Sequence, residues 1–531
     1  MTKTACWIVP GAAVRRFEAM VTVREAAFAV FEHFGVDRLF GNPGSTELPM
    51  LKGLPFPYVM GLNEAVVVGM ADGYARAGRK PALVNLHSAA GTGHSLGNLF
   101  TAWKNNAPVV VTAGQQARSI LPFDPFLYAE RPSEFPRPYV KYSVEPARAQ
   151  DVPLALIRAF ITALTPPMGP VFVSIPVDDW DRECEMPGLP DIDALTIPSA
   201  TGIERLATLL DEAERPALVL GTGVANCDGW HCAIALAEKA GCAVFAAPYA
   251  ARETFPEDHP QFAGFLNAWR DQIRDALDPF DAILVAGAPV FTYHVEGEGP
   301  HWPTHAKLMA LSDDPQHLAN LPGGGGVLGD VNEGLAQLAE RTNQRDYTGP
   351  THKLLTPEAE MSAAYVLTRI AALRPESSVI VEESPTSRGS QHGTLPITRQ
   401  GGFYTCASGG LGYSLPGALG VAMAQYDKVI AILGDGASMY TIQGLFTAFQ
   451  ENLPVSFLVM NNAAYAALTG FSGEFGMNHV PGCDLTGLDF VKLASGQGVS
   501  ARMVDSIDDL DAALRWSFDC DGPTLVDLRI N

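Results

Sequence analysis

The sequence contains few cysteines and no pair of them spaced for a metal or redox centre. Its 531 residues include 8 cysteines, which are scattered along the chain and form no Cys-x-x-Cys pair. Zinc ribbons and dithiol redox sites depend on such pairs, so these classes of protein are excluded. Isolated cysteines are typical of reduced thiols, and we therefore expect a cytoplasmic protein.

Basic residues and long apolar runs are also scarce. The chain has 36 Lys and Arg against 58 Asp and Glu, a net charge of −22. Such an excess of negative charge disfavours nucleic acid and anionic membranes as partners. No segment approaches the roughly 20 apolar residues that a membrane-spanning helix requires. We therefore expect no nucleic acid and no membrane as a partner, and any anionic substrate must be attracted by local groups.

The sequence instead carries apolar strands and helical stripes in regular alternation over its whole length. A chain of 531 residues is too long for one hydrophobic core and suggests three domains. A Pro-rich segment and a later polar segment separate three blocks of this α/β pattern. We predict an α/β fold of three doubly wound parallel-sheet domains, 21–198, 199–342 and 358–531, with a disordered N-terminal extension at 1–20 and a linker at 343–357.

The most informative motif lies between residues 434 and 462. One apolar strand is predicted to end at Gly434 and a second, 455–460, to end just before Asn461. Apolar residues between them recur at the spacing of a helix that packs on a sheet: Ile442, Leu445, Phe446 and Phe449. In a βαβ unit both strands end at the same edge, so Asp435 and Asn462 are predicted to be neighbours.

A carboxylate beside a carboxamide is a hard-oxygen site. Such ligands suit Mg²⁺, or Ca²⁺, shared with a diphosphate, because Mg²⁺ takes few protein ligands and leaves the rest to phosphate oxygens. The alternative is structural: Asp435 caps a helix and the two asparagines form a turn. Residue types alone leave both interpretations open.

Gly434-Asp435-Gly436 followed by Asn461-Asn462 resembles the diphosphate- and metal-binding motif of the thiamin diphosphate enzymes. The chain as a whole resembles the 2-oxo acid decarboxylases of that family, and most of all the benzoylformate decarboxylases, over nearly everything after residue 20. The resemblance implies a pyrimidine-binding, a middle and a diphosphate-binding domain. It also implies a homotetramer, a dimer of dimers, with active sites between subunits.

The resemblance assigns a set of residues to the cofactor. Glu64, in GLNEAVVVGMADGYARAG, would share a proton with the cofactor's aminopyrimidine, although a Glu at a helix start is more often a cap. Gly409 would accept a hydrogen bond from that ring, with Leu411 beneath it. The remaining contacts would be to the diphosphate, from Thr386, Gly436, Ser438 and Tyr440, and to the metal, from Asp435, Asn462 and the Ala464 carbonyl.

A second set is assigned to the substrate. Ser45, in GNPGSTELP, would hold the substrate carboxylate, and His87 and His294 would carry protons near neutral pH. Either histidine alone would more often be structural, and His94 stands where the family resembles Asn, so it receives no role. The pocket for an aryl group would be formed by Leu127, Thr405, Leu468 and Phe471.

Three of the substrate-side positions depart from the benzoylformate decarboxylases. Thr405 replaces a Phe, Pro385 a Thr and Gly470 a Trp, which predicts a smaller wall with room for bulkier or different acids. One lost aromatic contact changes selectivity by only about 1–3 kcal/mol, so phenylglyoxylate (benzoylformate) remains the expected substrate.

The expected activity is non-oxidative decarboxylation of an aromatic 2-oxo acid to aldehyde and CO₂. A carboligase resembling acetolactate synthase is the alternative enzyme, and the two histidines favour decarboxylation over it. A non-catalytic subunit that only binds the cofactor is the third reading. It is disfavoured because Glu64, Asp435 and Asn462 are all present.

Overall fold

The computed structural model of the chain describes residues 20–425 and 427–531. Within these residues it contains three six-stranded sheets in which every pair of neighbouring strands is parallel. The predicted α/β fold of three doubly wound parallel-sheet domains is therefore confirmed. The expectation for residues 1–20 lies outside the described residues, apart from Met20. The predicted domain boundaries stay predictions.

The N-terminal sheet has the strand order β3-β2-β4-β5-β7-β6. The strands of this part of the chain are β1 Met20–Thr22, β2 Leu39–Gly41, β3 Tyr58–Met60, β4 Ala82–Leu86, β5 Val109–Gln115, β6 Ser143–Val144, β7 Val171–Pro176 and β8 Glu183–Glu185. The helices are α1 Val23–His33, α2 Leu48–Leu51, α3 Glu64–Gly78, α4 Ser88–Lys104 and α5 Val152–Leu164. Strands β1 and β8 pair antiparallel, beside the main sheet.

The middle sheet has a different strand order, β11-β10-β9-β12-β13-β14. Its strands are β9 Pro216–Leu220, β10 Ala243–Ala246, β11 Phe262–Phe265, β12 Ala282–Ala286, β13 Lys307–Ser312 and β14 Gly325–Leu328. Its helices are α6 Ala200–Glu212, α7 Thr222–Asn226, α8 Trp230–Ala240, α9 Arg270–Leu277, α10 Pro315–Ala319 and α11 Val331–Arg341. Ser199 begins the first of these helices by accepting a hydrogen bond from the Gly202 amide.

The C-terminal sheet has the order β16-β15-β17-β18-β20-β19. Its strands are β15 Val379–Glu383, β16 Phe403–Thr405, β17 Val429–Gly434, β18 Val455–Asn461, β19 Ser500–Val504 and β20 Thr524–Arg529. Its helices are α12 Ala363–Leu373, α13 Arg388–Thr394, α14 Ser414–Gln425, α15 Asp435–Met439, α16 Gly444–Gln450, α17 Ala466–Ser472, α18 Phe490–Ser495 and α19 Ile507–Phe518. The two central strands, β17 and β18, are almost wholly buried, as near-continuous apolar runs predict.

The helix predicted from the apolar stripe 442–449 is present but short. Leu445, Phe446 and Phe449 lie in α16, whereas Ile442 lies in the turn that joins it to the short α15. Within α16, Leu445 is fully buried but Phe449, in its last turn, is 51% exposed. The last two glycines of the run 323–326 begin the edge strand β14, which pairs through backbone atoms with β13.

Helices α3 and α14 hold the N-terminal and C-terminal sheets together. Their backbones approach so closely that a Cβ on Gly73 would lie 2.2 Å from the Gly417 oxygen, and one on Gly420 would lie 2.0 Å from the Met70 oxygen. Only glycine permits this approach. The hydrophobic core is consequently continuous between the two sheets, with Val66 and Leu419 in the same buried cluster.

Arg76 of α3 ties all three parts of the chain together. Its guanidinium donates to the Ala251 carbonyl of the middle part at 2.7 Å and to the Thr405 carbonyl and Tyr413 hydroxyl of the C-terminal part at 3.1 and 2.8 Å. Asp72, one helical turn earlier, accepts from the same Tyr413 hydroxyl at 2.8 Å.

No helix in the described ranges is both long and apolar enough to cross a membrane.

Candidate active site

Glu64 occupies the first position of α3, as predicted, and is only 7% exposed. Asn63 caps the helix by accepting from the Ala65 amide, so Glu64 is not needed as the cap. Its carboxylate accepts instead from the Asn42 side chain at 3.2 Å and forms a hydrogen bond with His94 Nδ1 at 3.1 Å. Glu64 is therefore a buried carboxylate held on both oxygens, and His94, which received no role, is one of its partners.

His87 follows β4 directly and is held by a second buried carboxylate. Glu47 is 1% exposed and receives three hydrogen bonds, from His87 Nδ1 at 2.9 Å, the Thr46 hydroxyl at 2.5 Å and the Gly44 amide at 3.0 Å. A Cβ on Gly44 would lie 2.1 Å from the imidazole, so this glycine makes room for the ring. With Nδ1 donating to Glu47, Nε2 has no hydrogen-bond partner among residues 20–425 and 427–531 and can face a substrate.

Two further predicted residues lie beside this pair. Ser45, in the loop after β2, is exposed between Gly44 and the buried Thr46. Leu127 is 37% exposed, and its carbonyl accepts from the Ser88 hydroxyl at 2.7 Å, which brings its loop to the residue after His87. We name Asn42, Ser45, Glu47, Glu64, His87 and His94 the acid cluster.

Asp435 and Asn462 are neighbours, as the βαβ unit predicts. The Ala464 amide donates to Asp435 Oδ2 at 3.2 Å and to Asn462 Oδ1 at 3.1 Å. Asp435 is 4% exposed, and burial raises the pKa of its carboxyl while the amides of Gly436 and Ala464 oppose that rise. The arrangement offers one carboxylate and one amide oxygen. We name Asp435, Gly436, Ser438, Asn462 and Ala464 the oxygen cluster.

The loop before α14 carries the predicted ring contacts. Gly409 has φ of +70°, a conformation that favours glycine, and a Cβ placed on it would meet no atom within 4 Å, so the loop faces open space. Glu383 anchors the loop by accepting from the Gly412 and Ser414 amides, each at 2.5 Å. Glu383 is 2% exposed, and burial raises the pKa of its carboxyl to about 7. Leu411 lies in this anchored loop and is partly buried.

The predicted diphosphate ligands differ in how exposed their side chains are. The Ser438 hydroxyl is buried and donates to the Gly434 carbonyl at 2.8 Å. Thr386 and Tyr440 are exposed, the latter at 55%. A Cβ on Gly436 would lie 2.2 Å from the Tyr465 ring, so the chain needs glycine here to bring this ring across α15.

His294 lies apart from the acid cluster, at the mouth of a cavity between the middle and C-terminal parts. Its Nδ1 is 2.9 Å from the Tyr249 hydroxyl, and its ring stacks on Phe471 with 4.7 Å between centroids. The cavity has a volume of about 230 Å³ and is lined by His294, Phe471 and Thr405. Three predicted substrate residues thus share one space. Leu468, 52% exposed, is not among the residues that line it.

Thr405 does not leave its side of the cavity open. Arg388 also lines the cavity and donates to the Thr405 hydroxyl at 3.0 Å and to Glu382 Oε2 at 2.7 Å. Thr405 in turn donates to the Glu382 carbonyl at 2.7 Å. The smaller wall predicted from Thr405 is therefore polar, because a guanidinium occupies space beside it.

No hydrogen bond between described residues joins the acid cluster to the oxygen cluster. Each cluster is complete at the carboxyl edge of its own sheet. The assignments of individual residues to cofactor and substrate stay predictions at this point.

Three family models match the chain. They are described as the N-terminal TPP binding, central and C-terminal TPP binding domains of thiamine pyrophosphate enzymes, and they match residues 21–129, 203–341 and 387–528. The chain is also 38% identical to benzoylformate decarboxylase of Pseudomonas aeruginosa over 96% of its own length and 99% of that protein. The chain belongs to the thiamine pyrophosphate enzymes.

Solved structures of thiamine pyrophosphate (thiamin diphosphate) enzymes superpose closely on this chain. A benzoylformate decarboxylase from Polynucleobacter necessarius is 35% identical with a TM-score of 0.93, covering 96% of this chain and 98% of that one. A thiamine diphosphate-dependent 4-hydroxybenzoylformate decarboxylase from Rhodococcus jostii RHA1 is 36% identical with a TM-score of 0.92, covering 96% and 99%. The chain is thus an enzyme homologous to the benzoylformate decarboxylases, which are carboxy-lyases.

More distant relatives include acetolactate synthases. The large subunit of isozyme 1 from Escherichia coli is 26% identical, over 94% of this chain and 92% of that protein. The family resemblance read from the sequence is confirmed.

Sequence reasoning missed residues in both parts of the site, among them Asn42, which donates to Glu64. Glu47 had a signal, since it is an acid in the same GNPGSTELP loop as Ser45, but its partner His87 is 40 residues away. Tyr249 and Arg388 had none, because a tyrosine after β10 and an arginine after β15 reach the cavity only through the packing of two parts of the chain.

The residues present fit thiamin diphosphate and a divalent cation. The oxygen cluster provides a buried carboxylate and an amide oxygen, the donor types that Mg²⁺ and Ca²⁺ prefer. The loop at Gly409 leaves open space where a ring can approach the backbone. Glu64 supplies a carboxylate shielded from water at the start of α3.

Proposed function

We propose that this protein decarboxylates an aromatic 2-oxo acid of the benzoylformate type to an aldehyde and CO₂, with thiamin diphosphate and Mg²⁺ or Ca²⁺. The observation that carries the proposal is the pair of held histidines. His87 is oriented by Glu47 at 2.9 Å and His294 by Tyr249 at 2.9 Å. Decarboxylation to an aldehyde requires protonation of the former keto carbon, and oriented histidines supply such protons.

Each part of the chain has a separate task in this proposal. Bound thiamin diphosphate supplies the electron sink that lets the carboxylate carbon leave as CO₂. Glu64 would share a proton with the pyrimidine ring, and Asp435, Asn462 and the Ala464 carbonyl would hold the metal. Gly409 and Leu411 would contact the ring, and Thr386, Gly436, Ser438 and Tyr440 would hold the diphosphate.

The substrate is bound and protonated by residues of all three parts. Ser45 binds the substrate carboxylate, and His87 and His294 deliver protons from their free ring nitrogens. The aryl group lies among Leu127, Thr405, Leu468 and Phe471. Phe471 supports this placement because its ring already stacks on His294.

The separation of the acid and oxygen clusters supports a site completed by two chains. We propose that the acid cluster of one protomer faces the oxygen cluster of another, within a homotetramer. Exposed Ser45, Thr386 and Tyr440 are then covered by the second protomer. An active monomer in sedimentation analysis combined with an activity assay would overturn this part of the proposal.

An assay with a panel of 2-oxo acids tests the function. The protein is incubated with thiamin diphosphate, Mg²⁺ and either benzoylformate, pyruvate or an aliphatic 2-oxo acid, and aldehyde and hydroxyketone are measured. We expect benzaldehyde from benzoylformate at the highest kcat/KM. Hydroxyketone as the main product would identify a carboligase, and no product from any acid would identify a binding subunit.

A further inference from the structure

We propose that Arg388 donates a hydrogen bond to an oxygen atom at the end of the substrate farthest from its keto group. The inference rests on the proposed function and narrows its substrate class. The preferred acids are aryl 2-oxo acids with an oxygen-bearing group, such as a hydroxyl or a carboxylate, at the para position. We name the cavity lined by His294, Phe471, Thr405, Arg388, Glu257 and His392 the polar pocket.

The polar pocket is continuous with the place proposed for the chemistry. His294 and Phe471 stack on each other at its exposed side, while Thr405 is only 3% exposed at its inner side. Arg388 is joined to that inner wall by its hydrogen bond to Thr405 at 3.0 Å. An acid whose reacting end lies near His294 therefore points its far end toward a guanidinium.

The guanidinium retains hydrogen-bonding capacity. Its Nε and Nη2 both donate to Glu382 Oε2, at 3.0 and 2.7 Å, and Nη2 also donates to Thr405. A guanidinium has five N–H donors, and no described residue accepts from the two on Nη1. Arg388 thus provides donors to a cavity that is large enough for a substrate group.

The charges around Arg388 favour an acceptor oxygen. Glu382 is fully buried and neutralises Arg388, while Glu253 is paired with Arg252 at 3.0 Å. Burial raises the pKa of Glu257 to about 8 and lowers that of His392 to about 4, so both are neutral at pH 7. Glu382 and Glu253, the charged carboxylates that face the guanidinium, are thus already paired. Neither carries an unpaired charge that would repel an incoming oxygen atom.

An apolar group at the same place would be penalised. It would displace water from Nη1 without replacing the lost hydrogen bonds, and buried polar groups without partners are costly. Selectivity based on a hydrogen bond is also larger than selectivity based on one methyl group. The polar pocket therefore discriminates by chemistry at the para position more than by size.

A matched set of substrates tests the inference. We expect kcat/KM for the 4-hydroxy and 4-carboxy forms of benzoylformate to exceed that of the 4-methyl form by about 10- to 100-fold. The two oxygen-bearing acids distinguish a neutral acceptor from an anion. Equal or higher kcat/KM for the 4-methyl acid would overturn the inference and leave the proposed function standing.

A binding measurement keeps the test independent of turnover. The corresponding 2-hydroxy acids lack the keto group, and their affinities for the protein with thiamin diphosphate and Mg²⁺ can be measured by calorimetry. We expect the same order, 4-hydroxy and 4-carboxy above 4-methyl. If no 2-oxo acid is decarboxylated, the proposed function fails and this order alone decides the inference.

Variants of Arg388 locate the effect. In Arg388→Met the preference for the oxygen-bearing acids over the 4-methyl acid should fall to about onefold, while Arg388→Lys should retain part of it. Arg369 provides the control, because its Nε and Nη2 also pair with a carboxylate, that of Asp511 at 2.8 and 2.6 Å, outside the pocket. Arg369→Met should leave the preference unchanged.

The single variant Arg388→Met leaves the buried Glu382 carboxylate without its partner and can fail to fold for that reason. The double variant Glu382→Gln with Arg388→Met removes both charges and serves as the second measurement. A preference that persists in a folded double variant, or an equal loss of kcat/KM for all three acids, would overturn the inference.

Discussion

The N-terminal and C-terminal sheets follow the same path, and their edges carry different chemistry. In each, the order is second, first, third, fourth, sixth and fifth strand, whereas the middle sheet runs third, second, first, fourth, fifth and sixth. At the carboxyl edge the N-terminal sheet presents buried acids and a histidine. The C-terminal sheet presents oxygen ligands and glycines. In the proposed function, one topology thus supports proton transfer at the N-terminal sheet and diphosphate binding at the C-terminal sheet.

The corresponding helices explain how the N-terminal and C-terminal parts of the chain pack together. Helices α3 and α14 each follow the second strand of their sheet and pack on each other through Gly73 and Gly417. Glu64 begins the first of these helices, and the loop from Gly409 leads into the second. The comparison predicts that substitutions at the edge of the N-terminal sheet affect turnover. Substitutions at the edge of the C-terminal sheet should affect cofactor affinity.

The largest expected effect is from Glu64→Gln. Turnover should fall about 100- to 10,000-fold, since a buried proton-sharing group is lost, while thiamin diphosphate still binds. Steady-state kinetics and cofactor titration by fluorescence measure the two quantities. Glu25→Gln, the same change at the first turn of α1, is the control and should leave kcat unchanged. Full activity of Glu64→Gln would refute its assignment.

Asp435→Asn should reduce cofactor affinity instead of turnover. Loss of the buried carboxylate should weaken the binding of thiamin diphosphate with Mg²⁺ by about 10- to 100-fold. Turnover should recover at saturating cofactor. Calorimetry of cofactor binding tests this, with Asp489→Asn as the control, because that change keeps a capping oxygen at the start of α18 and removes only the ion pair with Lys492. Unchanged affinity together with a reduced kcat would erase the distinction between the two sheet edges.

Gly73→Ala tests the contact between helices α3 and α14. Its Cβ would lie 2.2 Å from the Gly417 oxygen, so the helices must separate, and overpacking of this kind costs about 1–3 kcal/mol. Chemical denaturation measures the free energy of unfolding. Gly78→Ala on the same helix meets its nearest atoms only at 3.5 Å and should not destabilise the protein. Equal stability of the two variants would mean that α3 and α14 are not in tight contact.

The smallest effect concerns the anchor of the Gly409 loop. Burial raises the pKa of Glu383 from 4.5 to about 7, so the folded state retains a proton that the unfolded state releases. Its contribution to stability is therefore complete below pH 4.5 and is lost as the pH rises to about 7.

Glu383→Gln should flatten this dependence. The free energy of unfolding of the wild type should decrease between pH 5 and pH 8 by more than that of the variant, as measured by urea denaturation. An identical pH dependence in both proteins would show that Glu383 does not titrate in this range.

Predictions from sequence were most accurate where local pattern determines structure. The apolar runs up to Gly434 and Asn461 form strands β17 and β18, because a strand buried on both faces needs continuous apolar residues. Glu64 begins a helix because Asn63 caps it. The spacing of motifs also placed the chain in its family, which the comparisons confirm.

The sequence by itself therefore determined the three parallel sheets, the neighbouring positions of Asp435 and Asn462, and the family. Only the tertiary structure decided that Glu47 holds His87, that Tyr249 holds His294 and that Arg388 lines the wall beside Thr405. The physical reason is distance along the chain. Local spacing fixes which side chains leave one sheet edge, whereas contacts between two loops at that edge, such as those of Glu47 and His87, 40 residues apart, depend on the strand order of the sheet.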